Sequence, residues 1–144
     1  MAVLGLDGAI ERLEVGGLYE KAAIAAVEAV MWLATIEEAL RVAKIDWRAN
    51  DPTGRELVNG LLYVRHQSTH ELVVYARAAG GASFPLSFPL SFDTELRWRR
   101  WSDDLPLGDR KTYRDAYEHV IAGESPVQTL RQARDVLVTA AGLQ

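Results

Sequence analysis

The most regular pattern in the chain is a run of apolar residues at three- and four-residue spacings between residues 18 and about 45. This spacing places the apolar side chains on one face of an α-helix, and the abundant alanines favour that helix. Because few of these side chains are large, the helix is expected to pack closely against a partner helix. Trp32 and Trp47 are expected to cover the edges of the core. The apolar face consists of Ile24, Val27, Met31, Ala34, Leu40 and Ile45.

A second long helix is predicted from residue 52 to about residue 79. Asp51 can accept hydrogen bonds from free backbone amides at its start, and Pro52 sits where no intrahelical donor is lost. Gly80 and Gly81 offer a stop at its end. Two long helices joined by a short turn form an antiparallel hairpin, the core of a helical bundle.

Shorter elements are predicted on both sides of this hairpin. Residues 10–15 are typical of a helical turn or a strand that ends at Gly16 and Gly17. Residues 109–121 and 129–141 each carry an apolar helical face, and Ser125 with Pro126 is a typical helix start. We therefore expect a mainly α fold with a single domain over residues 1–144.

Residues 82–108 are predicted to form a non-helical insertion beside the bundle. Residues 83–92 repeat Ser-Phe-Pro-Leu with a period of four, and two prolines four residues apart exclude a regular helix. Their phenylalanines are expected to pack on the bundle; the alternative is a polyproline-like ligand for a partner. Residues 97–101 alternate Arg and Trp, which favours a short strand on the surface, balanced by Asp103 and Asp104. The alternative for these residues is RNA binding by charge and stacking.

Composition and charge narrow the function classes. A chain of 144 residues can close one core without disulfides, and it contains no cysteine. The net charge of −4 argues against a uniformly basic surface that coats nucleic acid. We find neither a signal peptide nor an apolar run long enough to span a membrane, and we expect a cytoplasmic protein without a cofactor.

The candidate chemistry lies in the second helix, where two of the three histidines follow Arg65 closely. On a helical wheel Arg65 falls near the middle of an apolar arc formed by Val58, Leu61, Leu62, Leu72 and Ala76, whereas His66 and His70 lie on the polar side with Asn59 and Tyr63. A guanidinium in that position needs a partner, a cleft or an anion. The structural alternative is a buried Arg65 paired with Glu37 or Glu38.

Arginine and histidine together suit cleavage of an RNA backbone. Histidine can act as acid or base near neutral pH, and arginine neutralises phosphate through a planar fork of donors. A symmetric dimer that presents both residues across its two-fold axis would supply two of each.

The six residues Arg65-His66-Gln67-Ser68-Thr69-His70 resemble the motif of HEPN domains, in which a polar residue follows the arginine and three further residues separate it from a histidine. HEPN domains are all-helical, and many are metal-independent ribonucleases in toxin–antitoxin and phage-defence systems. The resemblance implies that Arg65 faces the phosphate, His70 acts as acid/base and His66 shapes the site, at a homodimer interface. It also implies an RNA substrate and, as a further partner, an antitoxin or other protein. Leu72 stands where family members modified by nucleotidyltransferase partners carry a tyrosine.

Three alternatives stay open. Arg114 and His119 repeat the same spacing, but we prefer the first pair because it lies on a longer helix with apolar flanks. The whole chain could instead be a non-catalytic helical-bundle module that binds another protein. His66 and His70 are one helical turn apart, a spacing that suits zinc, but no third ligand is evident nearby, so we expect no metal.

Overall fold

The computed structural model describes residues 1–16, 19–67, 74–78, 94–100 and 111–143, without the side chains of residues 75–78 and 94. The described part is mainly helical, as the sequence predicts. It contains the helices α1 (Ala2–Val15), α2 (Tyr19–Val42), α3 (Pro52–Gln67), α4 (Lys111–Val120) and α5 (Pro126–Ala140), and the strands β1 (Val74–Ala78) and β2 (Thr94–Trp98).

Helix α1 is a full helix that packs antiparallel to α2. The prediction of a helical turn or strand over residues 10–15 was therefore too short. The buried side chains of α1 are Leu6, Ala9, Ile10 and Leu13, whose three- and four-residue spacing is helical. Gly5 lies against the indole of Trp32, since a Cβ on Gly5 would come within 2.4 Å of that ring.

The predicted hairpin of α2 and α3 is present. Six alanines of α2 are buried, which permits the expected close packing. At the start of α3, the backbone N–H of Gly54 donates to Oδ1 of Asp51 at 2.8 Å, so the predicted cap is confirmed. Trp47 is buried and Trp32 packs half-buried against the core, also as predicted.

The predicted end of α3 near residue 79 is wrong, because α3 ends at Gln67 and residues 74–78 form β1. β1 pairs antiparallel with β2, with Val74 opposite Trp98. Valine and tyrosine at positions 73–75 favour a strand, and burial of Val74 and Trp98 outweighs continuation of the helix.

β2 is fixed to the turn between α4 and α5 through Trp98. Its backbone N–H donates to the carbonyl of Glu124 at 3.0 Å, and its carbonyl accepts from the N–H of Gly123 at 2.9 Å. Its indole Nε1 donates to Oγ1 of Thr129 at 2.7 Å. The expectation of a surface strand is therefore wrong for Trp98, which lies in the core and cannot stack on RNA. Residues 83–92, Trp101, Asp103 and Asp104 lie outside the described residues.

Helix α4 packs antiparallel to α3, and α5 closes the bundle. Ser125 caps α5, where its hydroxyl accepts from the N–H of Gln128. On α5, Arg134 makes a two-point pair with Asp7 of α1, at 2.7 and 3.1 Å. Within the described ranges, no helix is both long and apolar enough to cross a membrane.

Candidate functional site

A cleft of about 1010 Å³ opens where the end of α2 and the 43–51 connection face the last turn of α3 and the first turn of α4. Its lining includes four Arg or Lys side chains and three carboxylates, so positive charge is in slight excess. The charged lining residues are Arg41, Lys44, Arg48, Arg65, Glu37, Glu38 and Asp46, and His66, Tyr113 and Trp47 lie among them.

Arg48 forms a fixed wall of the cleft. Its Nε and Nη2 donate to Oε1 of Glu37 at 3.0 and 2.7 Å, and its Nη1 donates to Oδ1 of Asn59 at 2.8 Å. The guanidinium carbon lies 5.3 Å from the centroid of the Trp47 ring. A guanidinium that donates to several acceptors and stacks on an aromatic face has little freedom. Arg48 thus joins α2, the connection and α3.

Arg41 and Glu38 form a second pair that is much more exposed. Nε and Nη2 of Arg41 donate to the two carboxylate oxygens of Glu38 at 2.8 and 2.5 Å. The hydrogen bonds from Arg41, followed by the charges of Arg41 and Arg65, lower the pKa of Glu38 from its ordinary value. The two side chains remain 67% and 54% exposed, so water and salt screen this pair strongly. It is therefore an exchangeable contact.

Arg65 is exposed at the rim of this cleft rather than buried against the core. Its place at the centre of an apolar arc was wrong, because the arc included Ala76, which belongs to β1 and not to a helix. Arg65 stands one turn past Leu61, where the space between α2 and α3 opens. The alternative of a buried Arg65 is wrong because the residue is exposed, although its charge still helps to lower the pKa of Glu38.

His66 follows Arg65 in the last turn of α3 and lines the same cleft, half-buried. The structure thus brings together two of the three predicted catalytic residues. The third, His70, which is the predicted acid/base, lies outside the described residues. In the described part of the chain, no group of three or more His, Asp or Glu side chains is placed to hold a metal ion.

The second arginine–histidine pair lies elsewhere, on α4. Nδ1 of His119 is 2.6 Å from Oε1 of Glu56 on α3, and the histidine side chain is 73% exposed. His119 lines a separate cleft of about 580 Å³ with Asn59 and Asp115. It is a surface histidine, but one that links two helices.

Two polar residues assigned to the exposed side of α3 are buried. Tyr63 and Asn59 are 5% and 8% exposed because α4 packs on that side of the helix. The Tyr63 and Tyr117 rings lie with their centroids 5.4 Å apart. Burial, as the largest influence, raises the pKa of Tyr63 from its ordinary value. α3 therefore has two buried faces, and its last turn reaches the cleft.

Arg41, Lys44 and Tyr113 are site residues that the sequence did not reveal. They lie far apart along the chain, on the end of α2, in the connection and at the start of α4. Glu37 and Glu38 were noticed only as partners for Arg65. Each residue alone has the spacing of an ordinary surface position, so only the packing of α2 against α3 and α4 identifies the group.

No protein-family model, curated protein or solved structure matches the chain. The resemblance to HEPN domains therefore stays a hypothesis based on six residues.

Proposed function

We propose that the chain is a metal-independent endoribonuclease of the HEPN type, with its active site in the cleft at the end of α3. The observation that carries the proposal is that Arg65 and His66 both line this cleft, together with Arg41 and Lys44. A cleft edged by arginine and lysine suits a phosphodiester backbone. Tyr113 adds an aromatic ring on which a base can stack.

The chemistry needs a base, an acid and a cation. The 2′-hydroxyl attacks the adjacent phosphorus and loses its proton to a base, while an acid protonates the departing 5′-oxygen. In this proposal Arg65 neutralises the charge that builds up on the phosphoryl oxygens. His70 transfers the proton, and His66 shapes the site beside Arg65.

A homodimer would supply the second acid/base group, and α2 offers a surface for it. Ile24, Met31 and Val42 are 66%, 38% and 68% exposed. At about 100° per residue they lie within roughly 20° of one another on the helix. Met31 also lines the cleft, so this stripe runs into the site. We propose that a second copy covers the stripe and completes the site.

The decisive experiment incubates purified protein with cellular RNA in the presence of a chelator. We expect the wild type to cut RNA, and Arg65→Ala and His70→Ala each to lower the rate by about 10²-fold or more. Arg131→Ala is the matched control, because Arg131 is an exposed arginine of α5 that pairs with Glu14 away from the cleft. RNA left intact by the wild type, or equal cutting by all variants, would overturn the proposal. Loss of cutting in His119→Ala alone would move the site to α4.

Such a nuclease would act in the cytoplasm, with which the lack of cysteine is compatible. We propose a toxin or phage-defence role, with an antitoxin or other protein as its partner. Expression should then arrest growth, and His70→Ala should relieve the arrest.

The exposed stripe on α2 also favours a second candidate, a non-catalytic module whose stripe binds a different protein. Under that candidate, a partner co-purifies in stoichiometric amount with both the wild type and His70→Ala, and neither protein cuts RNA. Ile24→Asp should then release the partner.

A further inference from the structure

The cations of the cleft are not equivalent, because Arg41 can exchange its partner more easily than Arg48 can. Arg48 is held by Glu37 and Asn59. Its side chain is 29% exposed and that of Glu37 is 12% exposed, so the pair is largely buried. Arg41, by contrast, is paired with Glu38 within one turn of the same helix in an exposed contact. Incoming phosphate can therefore compete for Arg41 much more readily than for Arg48.

Glu38 competes with an incoming phosphate for the guanidinium of Arg41. Its two oxygens already accept from the Nε and Nη2 donors of Arg41, the same fork that would hold a phosphate. Glu38 also lines the cleft with Arg65, so its charge opposes an anion at either arginine.

We propose that Glu38 is a built-in competitor that weakens the binding of ligands with a single phosphate group and thereby favours nucleic-acid strands. This inference rests on the proposed function. Glu38 pairs with Arg41 within one helical turn, so a single phosphate that takes its place on Arg41 loses one contact for each contact it gains. A strand that places phosphates at Lys44 and Arg65 as well gains several contacts at once and releases several counterions. The strand therefore offsets the loss of the Arg41–Glu38 pair more fully than a single phosphate does.

The test measures binding of a labelled 2′-O-methyl RNA strand, which lacks the attacking hydroxyl, and its displacement by adenosine 5′-monophosphate. We expect the wild type to bind the strand and to resist displacement at millimolar nucleotide. In Glu38→Gln, which keeps the shape of the side chain, the apparent affinity for the nucleotide should rise about three- to tenfold. The strand itself should gain a smaller factor, because Glu38 opposes only one of its several contacts.

Glu28→Gln is the matched control. Glu28 is an exposed glutamate of the same helix that pairs with Arg12 at 2.6 Å, outside the cleft, and its substitution changes the net charge equally. If Glu38→Gln and Glu28→Gln bind the nucleotide equally well, or if the wild type binds it as tightly as Glu38→Gln does, the role of Glu38 is overturned while the nuclease proposal stands. If the wild type neither binds nor cuts RNA, the proposed function itself fails, and the role of Glu38 fails with it.

Discussion

Two helical glycines meet different surroundings. Gly60 lies where α3 contacts α4: a Cβ there would come within 2.6 Å of Cγ1 of Ile121 and 3.2 Å of the backbone of Tyr117. A Cβ on Gly8, in the middle of α1, would meet only the guanidinium of Arg12 at 3.6 Å, an ordinary contact. The same substitution should therefore have opposite effects at the two positions.

Gly60→Ala should lower the free energy of unfolding by about 1–3 kcal/mol, because the added methyl group forces α3 and α4 apart. Gly8→Ala should raise it by about 0.5–1 kcal/mol, because alanine favours the helix and meets no obstacle. Urea unfolding measures both values. Equal changes in the two variants would contradict the close contact at Gly60.

Arg65 shows how far single residues can be predicted from the sequence. Its chemistry and its nearness to His66 follow from their adjacent positions, and both residues do line the cleft. Its exposure could not be predicted, because a helical wheel gives the direction of a side chain but not the position along the helix where the neighbouring helix stops covering it. Arg41, Lys44 and Tyr113 join the site only through tertiary packing.

At the scale of elements, β2 depends on one buried hydrogen bond for its attachment to α5. The indole N–H of Trp98 donates to Oγ1 of Thr129, and these residues are 0% and 4% exposed. A buried indole N–H without an acceptor loses its hydration and gains nothing in return. The bond therefore favours the docked position of β2.

Thr129→Val should lower the free energy of unfolding by about 1–3 kcal/mol, since it leaves the Trp98 N–H buried without that acceptor. Thr139→Val is the control, because Thr139 is an exposed residue of the same helix and the change in helix propensity is the same. Thermal or urea unfolding compares the two. A similar loss in both variants would mean that the hydrogen bond contributes little.

Starts of helices could be predicted better than their ends. Asp51 with Pro52 and Ser125 with Pro126 carry local signals, and the structure has α3 and α5 start there. The end of α3 was missed because its cause is distant: β1 forms by pairing with β2, about twenty residues later in the chain. The same limit applies to α1, because its four buried residues form part of the core only through packing against α2.

At the scale of the whole molecule, the exposed stripe of α2 predicts the assembly state. If a second copy covers Ile24, Met31 and Val42, the wild type should be a dimer in solution. Ile24→Asp should convert it to a monomer, because a carboxylate in an apolar interface loses its hydration without a partner. Leu143→Asp serves as the control, since Leu143 is 55% exposed at the other end of the chain. Sedimentation or light scattering reads the mass, and a dimer that survives Ile24→Asp would place the interface elsewhere.

Arg48 and the Arg41–Glu38 pair differ in their conformational freedom. Arg48, clamped between Glu37 and Asn59 on the ring of Trp47, has already lost its conformational freedom when the protein folds. Binding of a ligand therefore costs no further conformational entropy at Arg48, which is the benefit of preorganisation. The exposed pair of Arg41 and Glu38, by contrast, can rearrange at small cost. If the cleft binds RNA as proposed, a fixed Arg48 beside an adaptable Arg41–Glu38 pair lets the protein hold a backbone in a fixed register while it accepts varied sequences.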